Sequence, residues 1–192
     1  KSTRSILDDS RLTITDDEFH QLRTFIHAHS GIALSEHKRA LVCSRLAKRL
    51  RYHGLPRYAD YYELLTEGDP EGQERVAMIN AITTNLTSFF RESHHFEHLA
   101  TVALPDILAR NAANRRLRIW SAGCSTGEEP YSIAMTVAET LGAALSSWDA
   151  RILATDIDSQ VLARAAAGMY AEDRIEGLAP AGVRRWFRRG AG

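Results

Sequence analysis

The chain has 192 residues and balances 24 Lys+Arg against 24 Asp+Glu, a formal net charge of zero. That balance excludes the strong global field that draws proteins to nucleic acid or anionic membranes. The absence of any apolar run near the roughly 20 residues of a membrane span argues against a transmembrane segment.

Two cysteines, Cys43 and Cys124, stand in unlike local sequence and read as reduced thiols, not a disulfide framework. No hydrophobic segment follows Lys1, so no signal peptide is expected. The start at Lys1 without a Met leads us to expect a trimmed chain. The expected class is a soluble, cytoplasmic protein of one large or two small domains.

Residues 1–12 are polar and expected to fray. Thr15 and Glu18 form a capping-box pattern, followed by Phe19, Leu22, Phe25 and Ile26 at helical spacing up to Gly31. A second helix is predicted from Ser35 to about His53, stopped by Gly54 and Pro56. A third is predicted over residues 55–65, with Pro56 near its first turn. Gly68, Asp69 and Pro70 break the chain before a fourth helix carrying Val76, Ile79 and Ile82. Together they predict a small all-helical module over residues 1–82.

The second helix is amphipathic. Val42, Cys43, Leu46 and Leu50 share one face, and Lys38, Arg45 and Arg49 line the other, flanked by Lys48 and Arg51. Such a stripe is either a solvated face or a docking surface for an acidic partner. Its lack of interleaved acids raises the weight of docking.

Residues 83–95 pack polar, aromatic and cationic side chains too densely for a mere connector. His94, His95 and His98 lack a supporting third ligand, and adjacent histidines on a helix point apart, so no metal is expected. After a helix around Phe96–Asn111, strands are predicted over residues 117–121 and 151–155. A helix between them runs through Ile133, Met135, Val137 and Leu141 to Gly142, making a βαβ unit. A further helix follows over residues 159–167. The aromatic–basic tail at residues 184–189 reads as an amphipathic helix whose Trp186 packs on an absent segment. Two strands are too few for a doubly wound sheet, so further strands are expected after Gly192.

The most informative stretch is Leu117-Arg-Ile-Trp-Ser-Ala-Gly-Cys-Ser-Thr-Gly-Glu-Glu-Pro-Tyr-Ser132, a strand, a glycine-bearing turn and a helix start. Ligands of open α/β sheets bind at such junctions. The spacing from Gly123 to Gly127 is not Gly-x-Gly-x-x-Gly, and the P-loop Lys is missing. A turn carrying Glu128 and Glu129 is poorly suited to a pyrophosphate. It suits a ligand with a positive charge and hydroxyls, as S-adenosylmethionine has.

Asp156, just past the second strand, is placed to accept from ribose hydroxyls, and Glu129 to pair with an ammonium. Helix-dipole compensation is the plainer role for Glu128 and Glu129, and one of the two is expected to do only that. Ser125 or Thr126 is the expected helix cap, and Asp158 is expected to cap the next helix. Cys124 is read as a small residue fitting a tight turn.

Three runs carry a resemblance: Thr84-Asn-Leu-Thr-Ser-Phe-Phe-Arg-Glu-Ser-His-His-Phe96, Trp120–Ser132, and Ala154-Thr-Asp-Ile-Asp158. From about Leu12 onward the sequence resembles the chemotaxis receptor methyltransferases, the CheR family. The resemblance implies an α/β class I methyltransferase (Rossmann-like) domain, apparently truncated and preceded by a small all-α N-terminal domain. It implies receptor docking by residues 1–82, an active-site linker motif at 83–95, and the first part of the S-adenosylmethionine domain at 96–192.

It also implies methyl transfer from S-adenosyl-L-methionine, leaving S-adenosyl-L-homocysteine, to glutamates of a chemoreceptor's cytoplasmic helical bundle. No nucleic acid and no membrane insertion is implied. Asn85, Thr87 and Arg91 match family positions that contact the cofactor or line the site, and Glu129 and Asp156 match its cofactor-binding acids. Arg91 is the catalytic candidate, orienting a carboxylate of either substrate or cofactor. Lys38, Arg45 and Arg49 are the candidate receptor-docking residues.

The family's later cofactor segment, which bears an asparagine, and its receptor-tethering β-subdomain find no match before Gly192. A glutamate with an unperturbed pKa of about 4.3 is already ionised at neutral pH, so no general base is needed. The alternatives are a non-catalytic module that binds S-adenosylmethionine or receptors, and a class I methyltransferase acting on RNA or a small molecule. The balanced charge and the lack of a basic–aromatic groove before residue 184 count against RNA.

Overall fold

The computed structural model describes residues 12–190. The polar stretch expected to fray lies, apart from Leu12, outside the described residues. The chain divides into two compact units, one ending at Thr84 and one beginning at Asn85. Among the described residues, no helix is long and apolar enough to cross a membrane.

The first unit contains α1 (Asp16–Ser30), α2 (Arg39–His53), α3 (Tyr58–Glu67) and α4 (Gln73–Ile82). The capping box forms: the Glu18 N–H donates to Thr15 Oγ1 at 3.2 Å, and the Thr15 N–H donates to Glu18 Oε2 at 2.8 Å. The helical spacing of apolar residues becomes the core, with Phe19, Leu22, Ile26, Val42, Leu46 and Leu50 all buried. Tyr58, Tyr61, Leu65, Met78 and Ile82 complete it.

Two predicted boundaries shift. A 3₁₀ turn at Glu36–Lys38 precedes α2, so Ser35 stands before that turn and not before α2 itself. The third helix begins at Tyr58, because Leu55 belongs to the end of α2. Its N–H donates to the Leu50 carbonyl at 2.9 Å and that of Gly54 to Arg51 at 3.2 Å. This is a Schellman ending, with Gly54 left-handed at φ 68°.

The second unit contains α5 (Ser93–His98), a π-helical turn at Leu99–Ala103 and α6 (Leu104–Arg110). After these come β1 (Arg116–Ala122), α7 (Glu128–Leu141), β2 (Asp149–Thr155), α8 (Ser159–Ala167) and α9 (Pro180–Trp186). The strands pair in parallel, with Leu117 opposite Ala150 and Ala122 opposite Thr155. Period-two alternation sends Leu117, Ile119, Ala150 and Ile152 into a core with Leu104, Ile133 and Val137. On the opposite sheet face Trp120 and Leu153 stay 66% and 60% exposed.

Three local expectations are corrected. The residue before α7 is neither Ser125 nor Thr126 but Gly127, at φ 101°. A Cβ there would fall 2.6 Å from the Tyr170 hydroxyl and 3.0 Å from Ala165 Cα, so close packing demands glycine. The tail helix predicted over residues 184–189 lies at Pro180–Trp186 and ends on Trp186. Its indole N–H donates to Glu139 of α7 at 3.2 Å, and the Arg185 guanidinium lies 4.7 Å from its ring centre. His94 and His95 do not diverge either; their ring centroids are 4.2 Å apart.

Candidate functional site

The carboxyl ends of β1 and β2 are tied together by the turn that leaves β1. The N–H groups of Gly123 and Cys124 both donate to the Thr155 carbonyl, at 2.8 and 2.9 Å. The next N–H, of Ser125, donates to Asp156 Oδ2 at 2.8 Å. Ser125 holds a left-handed backbone at φ 49°, and its hydroxyl donates to the Asn85 carbonyl at 3.2 Å. A non-glycine residue in that region costs free energy and persists where its surroundings over-determine it. Cys124 is fully buried in this turn, as its small size predicts.

Each sequence-predicted site residue of this unit has a definite place. Asp156 accepts the Asp158 N–H on Oδ1 at 2.9 Å and the Ser125 N–H on Oδ2. A carboxylate oxygen has two acceptor positions, so one on each oxygen remains, a spacing suited to adjacent hydroxyls. Glu129 is exposed and accepts from the Ser121 hydroxyl at 2.7 Å, which fixes its orientation at the start of α7. Asp158 caps α8 through the Gln160 and Val161 N–H groups, as expected, and also accepts from the Asn85 side-chain amide at 2.7 Å. The Thr87 carbonyl accepts from Arg174 Nη2 at 2.9 Å. Arg91 is exposed, and its Nη1 donates to the Leu86 carbonyl at 3.0 Å.

Sequence reasoning assigned no role to Ser121, Ser132 or Arg174. Ser121 is buried at an inward strand position, and a polar residue in the inward register of β1 was the available signal. Ser132 receives the Phe90 N–H at 3.0 Å and donates to the Glu128 carbonyl at 2.7 Å. Glu128 itself is 1% exposed, with Thr126 Oγ1 donating to it at 2.6 Å and Arg174 paired with it. Burial alone would raise its carboxyl pKa, but the bonds from Arg174 and Thr126 outweigh this and hold it below the ordinary carboxylate range.

Residues 17–83 match the family model "CheR methyltransferase, all-alpha domain", and residues 85–192 match "CheR methyltransferase, SAM binding domain". The chain belongs to the CheR family. It is 44% identical over 184 residues to the chemotaxis protein methyltransferase of Escherichia coli K12, covering 95% of this chain and 60% of that protein. It is 47% identical over 163 residues to a probable chemotaxis protein methyltransferase of Rhizobium etli, covering 84% and 60%. With chemotaxis protein methyltransferase 2 of Pseudomonas aeruginosa the figures are 45% over 180 residues, 93% and 60%. The chain thus spans about 60% of the length of these CheR relatives.

The residues at the strand ends fit the cofactor in that family description. Gly123 sits at φ 86°, with no atom within 4 Å of where a Cβ would be. A ligand can therefore approach its backbone closely. Asp156 has acceptor capacity for hydroxyls, and Glu129 offers an exposed negative charge for an ammonium.

The helical unit of this CheR chain does not present the basic stripe as the sequence drew it. The Arg45 Nη1 donates to the carbonyls of Ile82 at 2.7 Å and Thr83 at 2.6 Å, closing the end of α4. Arg49 pairs with buried Glu74, its Nε donating at 2.9 Å. The counter-ion that α2 lacks is supplied to Arg49 by one acid of α4, Glu74. Lys38 is exposed.

Proposed function

We propose that the full-length protein transfers a methyl group from S-adenosylmethionine to glutamate side chains of chemoreceptors, forming methyl esters. The observation that carries this reading is the pair of acids near the open backbone of Gly123: Asp156, just past the end of β2, and Glu129, in the first turn of α7 and held by Ser121 of β1. In this reading Asp156 takes the ribose hydroxyls and Glu129 takes the α-ammonium of the methionyl end. S-adenosylmethionine supplies a methyl carbon activated by a cationic sulfur. Asn85 and Thr87 line the site through the segment that Asp158 and Arg174 hold.

The substrate glutamate is ionised at neutral pH and needs no proton removed, so the protein's work is alignment and exclusion of water. Arg91 orients a carboxylate at the edge of the site. One of its donors is used on Leu86, and a guanidinium has five.

Receptor docking by the basic face of α2 belongs to the same proposal. Charge complementarity between Lys38, Arg45 and Arg49 and a glutamate-rich helical bundle would speed and align encounter. Arg45 and Arg49 also hold α4, so Lys38 is the position at which docking can be probed without disturbing the fold.

The test is transfer of labelled methyl from S-adenosylmethionine to receptor protein by the full-length enzyme. Base-labile label, released as methanol, is expected. Arg91→Ala should lower kcat/KM about 10- to 100-fold, the worth of one charge-assisted hydrogen bond. Base-stable label would point to another acceptor, and an unchanged rate would remove Arg91 from its role.

A further inference from the structure

Glu128 is the carboxylate that the cofactor reading leaves unused. Dipole compensation does not explain it, because a carboxylate at a helix N-terminus gains that stabilisation while solvated. Its neighbour Glu129 is exposed in this way, whereas Glu128 is buried to 1% exposure. Taking a carboxylate out of water carries a large desolvation cost even when, as here, its Arg174 partner keeps 42% of its side chain exposed, and a well-packed apolar residue often stabilises a fold as much. What an ion pair adds is a fixed geometry.

That geometry is shared with the linker motif. The same Arg174 nitrogen that pairs with Glu128 donates to the Thr87 carbonyl at 2.9 Å. Thr126 Oγ1 holds the other Glu128 oxygen at 2.6 Å. Three residues beyond Thr87, the Phe90 N–H is held by Ser132, whose hydroxyl is in turn bonded to the Glu128 carbonyl. Tyr170 braces the same corner. Its hydroxyl donates to the Thr126 carbonyl at 2.7 Å, and its ring meets Phe89 edge-on at 4.9 Å. Between and beyond these anchors, Phe90 and Glu92 keep left-handed backbones at φ 51° and 58°, conformations that relax unless their surroundings over-determine them.

We propose that Arg174 and Glu128 are positioning residues for the methyl-donor site. They form a clamp that locks Thr87 to the first turn of α7 and thereby holds Asn85 and Arg91 in place. The inference rests on the reading that this end of the sheet takes S-adenosylmethionine. Arg174 acts through the Thr87 carbonyl and Glu128 acts through Arg174.

The experiment compares the full-length protein with its Arg174→Gln and Glu128→Gln/Arg174→Gln variants. Affinity for S-adenosylhomocysteine is read by calorimetry and melting temperature by fluorescence. Arg174→Gln leaves a buried carboxylate unpaired, so both affinity and melting temperature should fall. The double variant removes the buried charge and should melt near the parent. It still lacks the reach to Thr87, so its Kd should stay weakened by about tenfold, the equivalent of one lost charge-assisted hydrogen bond. A double variant whose Kd follows its melting temperature, both restored or both impaired, overturns the proposal and leaves the pair a structural one. A parent protein that shows no binding overturns the cofactor reading, and this inference falls with it.

Discussion

Replacing Glu74 by Gln should destabilise the helical unit severely, although the two side chains have the same shape. Four donors converge on the Glu74 carboxylate. Oε1 receives Arg49 Nε at 2.9 Å and the Tyr61 hydroxyl at 2.6 Å, while Oε2 receives Arg49 Nη2 and His53 Nε2, the latter at 2.7 Å. A glutamine offers one acceptor oxygen and one amide donor. His53 and Tyr61 can adapt, since a neutral imidazole and a hydroxyl both accept. Arg49 cannot, because it has donors only, so in either amide orientation one of its N–H groups faces another.

The loss is one charge-assisted bond and the neutralisation of a pair whose members are 22% and 8% exposed. Breaking a buried pair by removing one charge costs about 3–5 kcal/mol. The partial exposure of Arg49 moves the expectation to about 2–4 kcal/mol. For a unit of this size that corresponds to a fall of roughly 10–20 °C in melting temperature. Scanning calorimetry of parent and variant measures it. Arg49→Met/Glu74→Met/Tyr61→Phe, which replaces the pair by apolar volume and leaves no buried Tyr61 hydroxyl without a partner, should recover most of the loss. A Glu74→Gln protein melting within about 3 °C of the parent would refute the reasoning, because such a shift is worth less than 1 kcal/mol.

Acid stability follows from the same chemistry. At both Glu74 and Glu128 burial acts to raise the pKa, but the surrounding donors outweigh it and the folded values lie below the ordinary range. A depressed folded pKa stabilises above the unfolded value, about 4.3 for Glu, and that contribution is lost as pH falls through the folded value. Urea midpoints should therefore hold between about pH 7 and 5 and fall below about pH 4.3. The Glu74→Gln/Glu128→Gln protein should show a shallower acid slope, and an identical slope would count against both assignments. For docking, Lys38→Glu in the full-length enzyme should raise KM for receptor and weaken its salt dependence, with melting temperature unchanged. An unaltered salt response would leave Lys38 an ordinary surface residue.

The sequence was most legible where pattern and local chemistry coincide. Thr15 and Glu18 bracket a helix start by their own hydrogen bonds. Phe19, Leu22, Ile26, Val42, Leu46 and Leu50 carry the period of a buried helix face. The two strands announced themselves as apolar runs ending at a glycine turn and an Asp-x-Asp. Asp156 and Glu129 were readable as site candidates because position at a strand end constrains what a carboxylate can do.

The interactions that escaped join residues far apart in the chain. Arg174 lies 87 positions from Thr87 and 46 from Glu128, and Glu74 lies 25 from Arg49. No local periodicity encodes such a pair. The stripe on α2 seemed short of acids for this reason, since its counter-ion sits on another helix. Gly127 displaced Ser125 and Thr126 as the cap because of Tyr170 and Ala165, neighbours that only the fold supplies. Asn85 and Thr87 carried no chemical signature of their own and entered through family resemblance alone.

The central claim is that Glu129 and Asp156 hold the methyl donor at the strand ends. Calorimetric titration of the full-length protein with S-adenosylhomocysteine, alongside Asp156→Ala and Glu129→Ala, tests it most directly. The account predicts one binding site in the parent and a loss of at least about tenfold in affinity for each variant, since each removes charge-assisted hydrogen bonds. Absence of heat in the parent, or parental affinity in both variants, would contradict it.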